Sequence, residues 1–272
     1  MPVSRGSVLF ITLDSCRYDS FLAARCPNLK SVGPLAKAAA PGYFTLSSHA
    51  AMFVGFTPGA TWAAEPLINP KHTRIFRLVG GGFARPGTKP PFTLEGRSII
   101  EGFRLLGYWT LGTGAVGWFD PSGPTGSILT QDFHEFFYPG TVAGAARQVD
   151  WARRKLDGFN DDVMMFCNFG ETHVPYIHEG APWDLSYNPC IPFAETNSAT
   201  ESRRRQVACL EYLDQCLLPL LELFADATVV ICADHGDAWG EDGAWEHGFH
   251  HPKVIEVPLM FRLPAHLTGI ES

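Results

Sequence analysis

Val8-Leu9-Phe10-Ile11-Thr12-Leu13 runs apolar and β-rich into Asp14-Ser15-Cys16-Arg17-Tyr18-Asp19. A short continuous apolar run that ends in a polar turn reads as a strand buried on both faces. The same form returns twice. Val163-Met164-Met165-Phe166-Cys167-Asn168-Phe169 gives way to Gly170-Glu171-Thr172-His173, and Thr228-Val229-Val230-Ile231-Cys232-Ala233 gives way to Asp234-His235-Gly236-Asp237. Helical patterns lie between them. They cover 47–56, 96–107 (Ile99, Ile100, Phe103 and Leu106 on one face), 141–157, and 200–224 with Val207, Leu210, Leu213, Leu217 and Leu221. Residues 108–111 and 257–262 read as further strands, the last with Pro258 near its start. Strands alternating with helices predict an α/β fold in one domain over 1–272: a mostly parallel central sheet with helices on both faces. The Gly- and Pro-rich stretch 57–95, with Gly80-Gly81-Gly82, and the Pro-, Tyr- and Trp-bearing stretch 175–200 read as loop insertions. The first has room for a hairpin.

Composition limits the function classes. The 272 residues are 46% hydrophobic and 18% charged, which excludes a disordered or fibrous chain. The net charge of −7 is unsuited to non-specific nucleic-acid binding, where Lys and Arg neutralise phosphates. The one basic run, Arg203-Arg204-Arg205, reads as a solvated helix face. No secretory signal and no membrane span is predicted, because the apolar stretch from Leu217 to Ala233 is broken by Pro219, Glu222 and Asp226. Seven scattered cysteines without a CxxC pair read as buried free thiols, and the expected location is the cytoplasm.

In open α/β sheets ligands sit beyond the carboxyl ends of the strands. Each apolar strand above delivers Asp, Glu or His to that edge. Carboxylates with imidazole suit zinc, manganese or magnesium. Singly, each Asp also reads as a turn or N-cap residue. Gly42-Tyr43-Phe44-Thr45-Leu46-Ser47-Ser48-His49 precedes the first helical pattern. A hydroxyl there meets unpaired N–H groups and the positive end of the helix dipole, a setting for an anionic phosphoryl or sulfuryl group and its nucleophile. Thr45, Ser47 and Ser48 each read equally as an N-cap.

These segments, in this order, resemble the alkaline phosphatase/sulfatase superfamily. Asp14 to Asp19 is similar to its D-x-x-R-x-D opening, and 41–58 to its nucleophile segment. Gly102 to Thr110 resembles its helix-GYxT-strand, and Phe169 to Tyr176 its H-x-P-Y segment. Ala233 to Asp237 with Glu246-His247-Gly248 resembles its S-D-H-G and H-G pair, and Val257-Pro258-Leu259 its closing V-P-L. The resemblance implies Thr45 as nucleophile and Asp14, Asp234, His235 and the Thr45 oxygen as metal ligands. It implies His247 beside the leaving group or anion, and His173 at a substrate or second-metal position. The implied cofactor is zinc or manganese, one or two ions per chain.

Three departures sharpen the reading. Threonine at 45 cannot become the formylglycine of true sulfatases, and His49 stands where they carry arginine. Ser15 replaces a second aspartate, which removes one ligand. The chain ends soon after Val257-Pro258-Leu259, so most of the family's C-terminal subdomain is expected to be missing, with 57–95, 175–200, a partner chain or a second copy covering the site. Arg17 and Asp19 read as a structural pair, with a phosphate contact as the alternative. Asp237, Glu241, His250 and His251 read as turn, supporting or surface residues, and Trp118, Tyr176 and Trp183 as pocket lining or simple packing. The expectation is a metal-dependent hydrolase of phosphate mono- or diesters or phosphonates, acting on a small molecule through a phospho-Thr45 intermediate, with no nucleic acid or membrane partner. The alternatives are a phospho-transferase, an atypical sulfatase, and a non-catalytic binding protein on the same fold.

Overall fold

The three apolar runs become the centre of one sheet because each is buried on both sides. A computed structural model describes residues 2–54, 76–78, 92–94, 97–264 and 267. In chain order the elements begin β1 (Val8–Leu13), α1 (Tyr18–Ala23), α2 (Pro27–Lys30), β2 (Ala36–Ala39), α3 (Thr45–Val54), β3 (Phe76–Leu78) and β4 (Phe92–Leu94). Next come α4 (Ile99–Leu105), β5 (Trp109–Gly114), α5 (Pro124–Thr130), β6 (Glu135–Phe137), α6 (Ala145–Leu156) and β7 (Val163–Phe169). The rest are α7 (Ala199–Cys216), α8 (Leu218–Leu223), β8 (Thr228–Ala233), β9 (Ala238–Trp239), β10 (Trp245–Glu246), α9 (Pro252–Ile255) and β11 (Glu256–Arg262).

Seven strands form the sheet in the order β2-β11-β8-β1-β7-β5-β6. The run β8-β1-β7-β5-β6 is parallel, and β11 is antiparallel to both β8 and β2. The predicted α/β class, mostly parallel with helices on both faces, is what the structure has. Alternation along the strands divides the core. Leu9, Ile11 and Leu13 of β1, with Val163, Met165, Cys167 and Phe169 of β7, pack on the side of α1, α2, α6, α7 and α8. Phe10, Met164 and Phe166 pack on the other side with Leu46 and Phe53 of α3 and Ile100 of α4. Thr12 and Asn168 share that second parity, which turns their side chains toward α3.

Register then sets the site. Leu13 pairs with Phe169 on one side and with Ala233 on the other. Asp14, Gly170 and Asp234 therefore leave three adjacent strands at one level, with neighbouring strands about 4.8 Å apart.

Several local expectations need correction. The 200–224 helix is two: Leu217 ends α7, and Pro219 sits in the first turn of α8, where its missing N–H costs nothing. In α4 only Ile100 is buried, whereas Ile99 and Leu106 are exposed. Arg205 is not on a solvated face. It is buried and donates to Glu201 and to the Tyr187 and Asp184 carbonyls. The strands β2 and β6 and the helices α1, α2 and α5 lie where the sequence pattern gave no element. A β3–β4 antiparallel pair falls within 57–95, whose remainder, with Gly80-Gly81-Gly82, lies outside the described residues. The expected helix end at Gly55 and Pro58 also lies outside them. Residues 175–198 carry no helix or strand, as expected for an insertion. All seven cysteines are free, and six are buried.

Candidate metal and phosphoryl site

Thr45 is the first residue of α3 rather than a residue ahead of it, and it is buried with Ser48 and His49. Gly42 permits this helix start: a Cβ there would lie 2.3 Å from the Ser47 Oγ and 2.7 Å from the Ser48 nitrogen. The Thr45 Oγ1 sits 3.4 and 3.5 Å from the two Asp14 carboxylate oxygens and 3.5 Å from the His235 Nε2. His235 Nε2 is 3.8 Å from Asp14 Oδ1 and 3.5 Å from Asp234 Oδ2. Asp14, Asp234 and His235 are fully buried, and one ligand atom from each lies within 4.8 Å of the others.

The donor set fits a divalent cation. His235 Nδ1 donates to the Gly236 carbonyl at 3.0 Å, so its Nε2 turns a lone pair toward two carboxylates. Asp234 Oδ1 accepts from the Ser15 and His235 N–H groups, but its Oδ2 is buried without a hydrogen-bond partner among the described residues. Unsatisfied buried oxygens facing an imidazole lone pair are costly unless a cation lies between them. The electrostatics agree. Burial, with Asp14's charge adding to it, pushes the Asp234 carboxyl well above the usual carboxylate range. Burial, with the neighbouring His247, holds His235 down to about 3, so it stays neutral and able to ligate.

Supporting residues hold these groups. Asn168 Nδ2 donates to Asp14 Oδ2 at 3.1 Å and to Thr12 Oγ1 at 3.2 Å. Thr12 bonds the His49 Nε2 at 2.9 Å, and His49 Nδ1 donates to the Thr45 carbonyl at 2.7 Å. His49 is packed edge-on against Phe53, Phe119 and Phe166. Burial depresses its pKa to about 4, so the residue standing at the sulfatase arginine is a neutral brace. Gln206 of α7 ties the loops after β1 and β7 by donating to the Ser15 and Thr172 carbonyls. Ser15 adopts φ 57°, which aims its N–H at Asp234. Gly236 is required because a Cβ there would lie 2.3 Å from the Lys253 carbonyl oxygen.

His247 and His173 join the site from its open side. The His247 ring lies 4.3 Å from that of His235 and 5.3 Å from that of His173. His247 Nδ1 is 2.7 Å from Asp237 Oδ1. Burial alone would lower the His247 pKa, but the Asp237 hydrogen bond and charge outweigh it and raise it. Asp237 responds reciprocally: burial pushes its carboxyl up, and the His247 bond and charge bring the net value below the ordinary one. His235, Asp237 and His247 form a second group with ligand atoms within 4.8 Å, in which His247 Nδ1 and Asp237 Oδ1 are hydrogen-bonded at 2.7 Å. His173 Nδ1 donates to the Val174 carbonyl. Arg17 and Asp19 do form a pair, extended to Glu241 and Lys253. Tyr176 is fully buried, so it does not line an open pocket.

The sequence reading did not reach Asn168, Thr12, Gln206 or the engagement of Asp237 with His247. The signal for the first two was present: each is a polar residue inside an otherwise apolar strand. A cavity of about 580 Å³ opens between the start of α6 and 177–185, lined by Val142, Arg147, Ile177, His178, Glu179 and Leu185 and by none of Asp14, Thr45, His173, Asp234, His235 or His247.

No family model matches the sequence. The chain is similar to the choline-sulfatase of Rhizobium meliloti (strain 1021), with 25% identity over a stretch covering 54% of this chain. That stretch spans only 36% of the choline-sulfatase's length. Among solved structures it resembles the C-terminal periplasmic domain of phosphoethanolamine transferase EptC from Campylobacter jejuni (TM-score 0.63, 12% identity, 95% of this chain and 79% of that one). It also resembles the phosphonate monoester hydrolase of Agrobacterium radiobacter (TM-score 0.60, 15% identity, 96% and 69%). The corresponding domain of EcEptC from Escherichia coli, solved in complex with zinc, matches at TM-score 0.62 with 10% identity over 97% of this chain and 74% of that one.

Proposed function

We propose that this chain, which has the fold of the alkaline phosphatase superfamily, is a divalent-metal-dependent enzyme that hydrolyses phosphate esters or phosphonates through Thr45. The observation that carries the proposal is the buried, cation-deficient pocket of Asp14, Asp234 and His235, with the Thr45 hydroxyl 3.4–3.5 Å from it. Asp14, Asp234, His235 and the Thr45 oxygen would hold zinc or manganese. The bound ion would favour the Thr45 alkoxide and neutralise a phosphoryl oxygen.

The chain's own groups then divide the work. Thr45 Oγ1 passes its proton to the Asp14 carboxylate, 3.4–3.5 Å away, and attacks phosphorus in line. The new Oγ1–P bond forms as the bond from phosphorus to the leaving oxygen breaks, and His247 supplies the leaving oxygen with a proton. His173 faces the same space. Neutral His247 next takes a proton from water, the water oxygen bonds to phosphorus, and the Oγ1–P bond breaks as Thr45 recovers its proton from Asp14. An alcohol entering in place of water would make the product a transferred phosphoryl group. The free cysteines support a reducing compartment.

The test is turnover of 4-nitrophenyl phosphate, its phosphodiester and the matching aryl sulfate by zinc- and manganese-loaded protein, beside Thr45→Ala and Asp234→Ala. The expected result is phosphate or phosphonate turnover that both variants lose by at least about a hundredfold, with metal content falling further in Asp234→Ala, which removes an anionic ligand, than in Thr45→Ala. A Thr45→Ala protein that keeps most of its phosphatase activity would overturn the nucleophile assignment. Faster sulfate than phosphate turnover would favour the sulfatase alternative, and a chain that binds no metal would favour the binding-protein alternative.

A further inference from the structure

We infer that Tyr176 is a positioning residue of this site: acting through Asp237, it fixes the ring orientation of His247 and the nitrogen that His247 offers to the leaving group. The inference deepens the proposed function and rests on its reading of His247.

A hydrogen-bonded chain with only one possible polarity carries it. The Trp239 indole Nε1 lies 2.7 Å from the Tyr176 hydroxyl, which lies 2.9 Å from Asp237 Oδ2. Asp237 Oδ1 lies 2.7 Å from His247 Nδ1. An indole N–H can only donate, so the Tyr176 oxygen accepts from Trp239 and has its own proton to give. A carboxylate can only accept, so it takes the Tyr176 proton on one oxygen and the His247 Nδ1 proton on the other. The donor at the far end thus dictates the tautomer at the near end. His247 therefore keeps a proton on Nδ1 whether its ring is neutral or cationic, and the proton exchanged with the leaving group is carried on Nε2, on a ring 4.3 Å from that of His235.

The chain is buried and held from behind. Tyr176 and Asp237 are fully buried, and Trp239 nearly so. The Trp239 ring lies under the Arg17 guanidinium at 4.0 Å, and its backbone N–H donates to Glu241, which is itself ion-paired to Arg17. Tyr176 sits at φ 60°, a conformation an aromatic residue keeps only where its surroundings enforce it. Core packing needs no buried phenol hydroxyl. Here the hydroxyl meets one donor and one acceptor, and the acceptor orients a histidine of the site.

Tyr176→Phe removes the hydroxyl while keeping the ring. The test measures kcat and KM at one pH for aryl phosphates of graded leaving-group ability, from 2,4-dinitrophenyl to phenyl phosphate. In parallel, the His247 ring nitrogens are read by NMR in [15N]histidine-labelled protein, assigned by loss of the signals in His247→Gln. The expected result is a kcat loss of at least about tenfold for phenyl phosphate, with KM unchanged and little loss for the dinitrophenyl ester, which needs no proton. With the His247 ring neutral, the NMR is expected to show Nδ1 protonated in the parent and a mixture of tautomers in the variant. Trp239→Phe should move both readouts the same way by less, and it carries the test if Tyr176→Phe does not fold. A loss equal for all leaving groups, or unchanged His247 signals, would overturn the inference and leave Tyr176 a packing residue. If the parent protein turns over no aryl phosphate, the proposed function fails, while the NMR arm still decides whether Tyr176 sets His247.

Discussion

Glu171→Gln should flatten the pH dependence of this protein's stability in a direction fixed by the structure. Glu171 follows β7 and is fully buried. Its Oε1 accepts the Ala145 N–H at 2.7 Å, capping α6 from another element because the N-cap residue, Gly144, has no side chain to do so. Its Oε2 is buried without a hydrogen-bond partner among the described residues. Burial outweighs the backbone N–H groups and raises the carboxyl from 4.5 to about 8. A folded-state value above the unfolded one means that the native state holds an extra proton between the two. The stabilisation is therefore full below about 4.5 and disappears as pH rises toward 8. At about 1.4 kcal/mol per unit, the interval between pH 5 and 8 corresponds to about 4 kcal/mol. Glutamine keeps the acceptor for Ala145 and cannot ionise. The assay is urea unfolding of both proteins, chelator-treated, at half-unit steps from pH 5 to 8. Parent stability should fall relative to the variant by a few kcal/mol across that range. A difference that stays flat with pH would refute the reasoning and show that Glu171 is ionised in the folded protein.

Asp234→Asn should raise the melting temperature of chelator-treated protein by about 2–8 °C, because it removes a buried carboxylate raised by burial and by Asp14, and should abolish the increase that added zinc gives the parent. Differential scanning fluorimetry with and without zinc reads both effects. His49 carries the opposite sign to Glu171: burial lowers it from 6.5 to about 4, so its stabilisation is present above about 6.5 and is lost as pH falls through 4. His49→Gln should therefore reduce the acid sensitivity of chemical unfolding between pH 6.5 and 4, by up to about 3 kcal/mol. Phe166→Ala should cost about 3–5 kcal/mol in urea unfolding, since it empties a ring site that touches Phe10, His49, Phe53 and Phe119.

The fold was legible where burial is two-sided and illegible where pairing alone makes the element. β1, β7 and β8 read directly as apolar runs, since a central parallel strand meets helices on both faces. β2, with the sequence Ala36-Lys37-Ala38-Ala39, and β6, with Glu135-Phe136-Phe137, lie at the two edges. Each borrows its conformation from a neighbour, so neither carries a period of its own. The break between α7 and α8 was written in Pro219 and hidden by leucines on both sides of it. Arg205 sat in a run of three arginines whose charge suggested solvent. Which of three neighbouring arginines faces inward depends on the loop that packs against the helix, here the carbonyls of Asp184 and Tyr187.

The same distinction separates the two halves of the site. Asp14 and Asp234 could be found because each ends an apolar run, and parallel strands in register bring such endings together without further information. His247 and Asp237 are ten positions apart on a segment with little regular structure, and nothing in spacing says that they touch. What joins them is a turn through β9 and β10, with Glu246 at φ 66° immediately before His247. The sheet therefore fixes the proposed metal ligands Asp14 and Asp234 by register, which is robust to substitution on the faces of the sheet. The leaving-group side depends instead on individual hydrogen bonds through Tyr176 and Trp239. Single conservative changes there, such as loss of one phenol oxygen, should alter chemistry while leaving metal binding and the fold intact. Equivalent changes in the core beneath Asp14 should do the reverse.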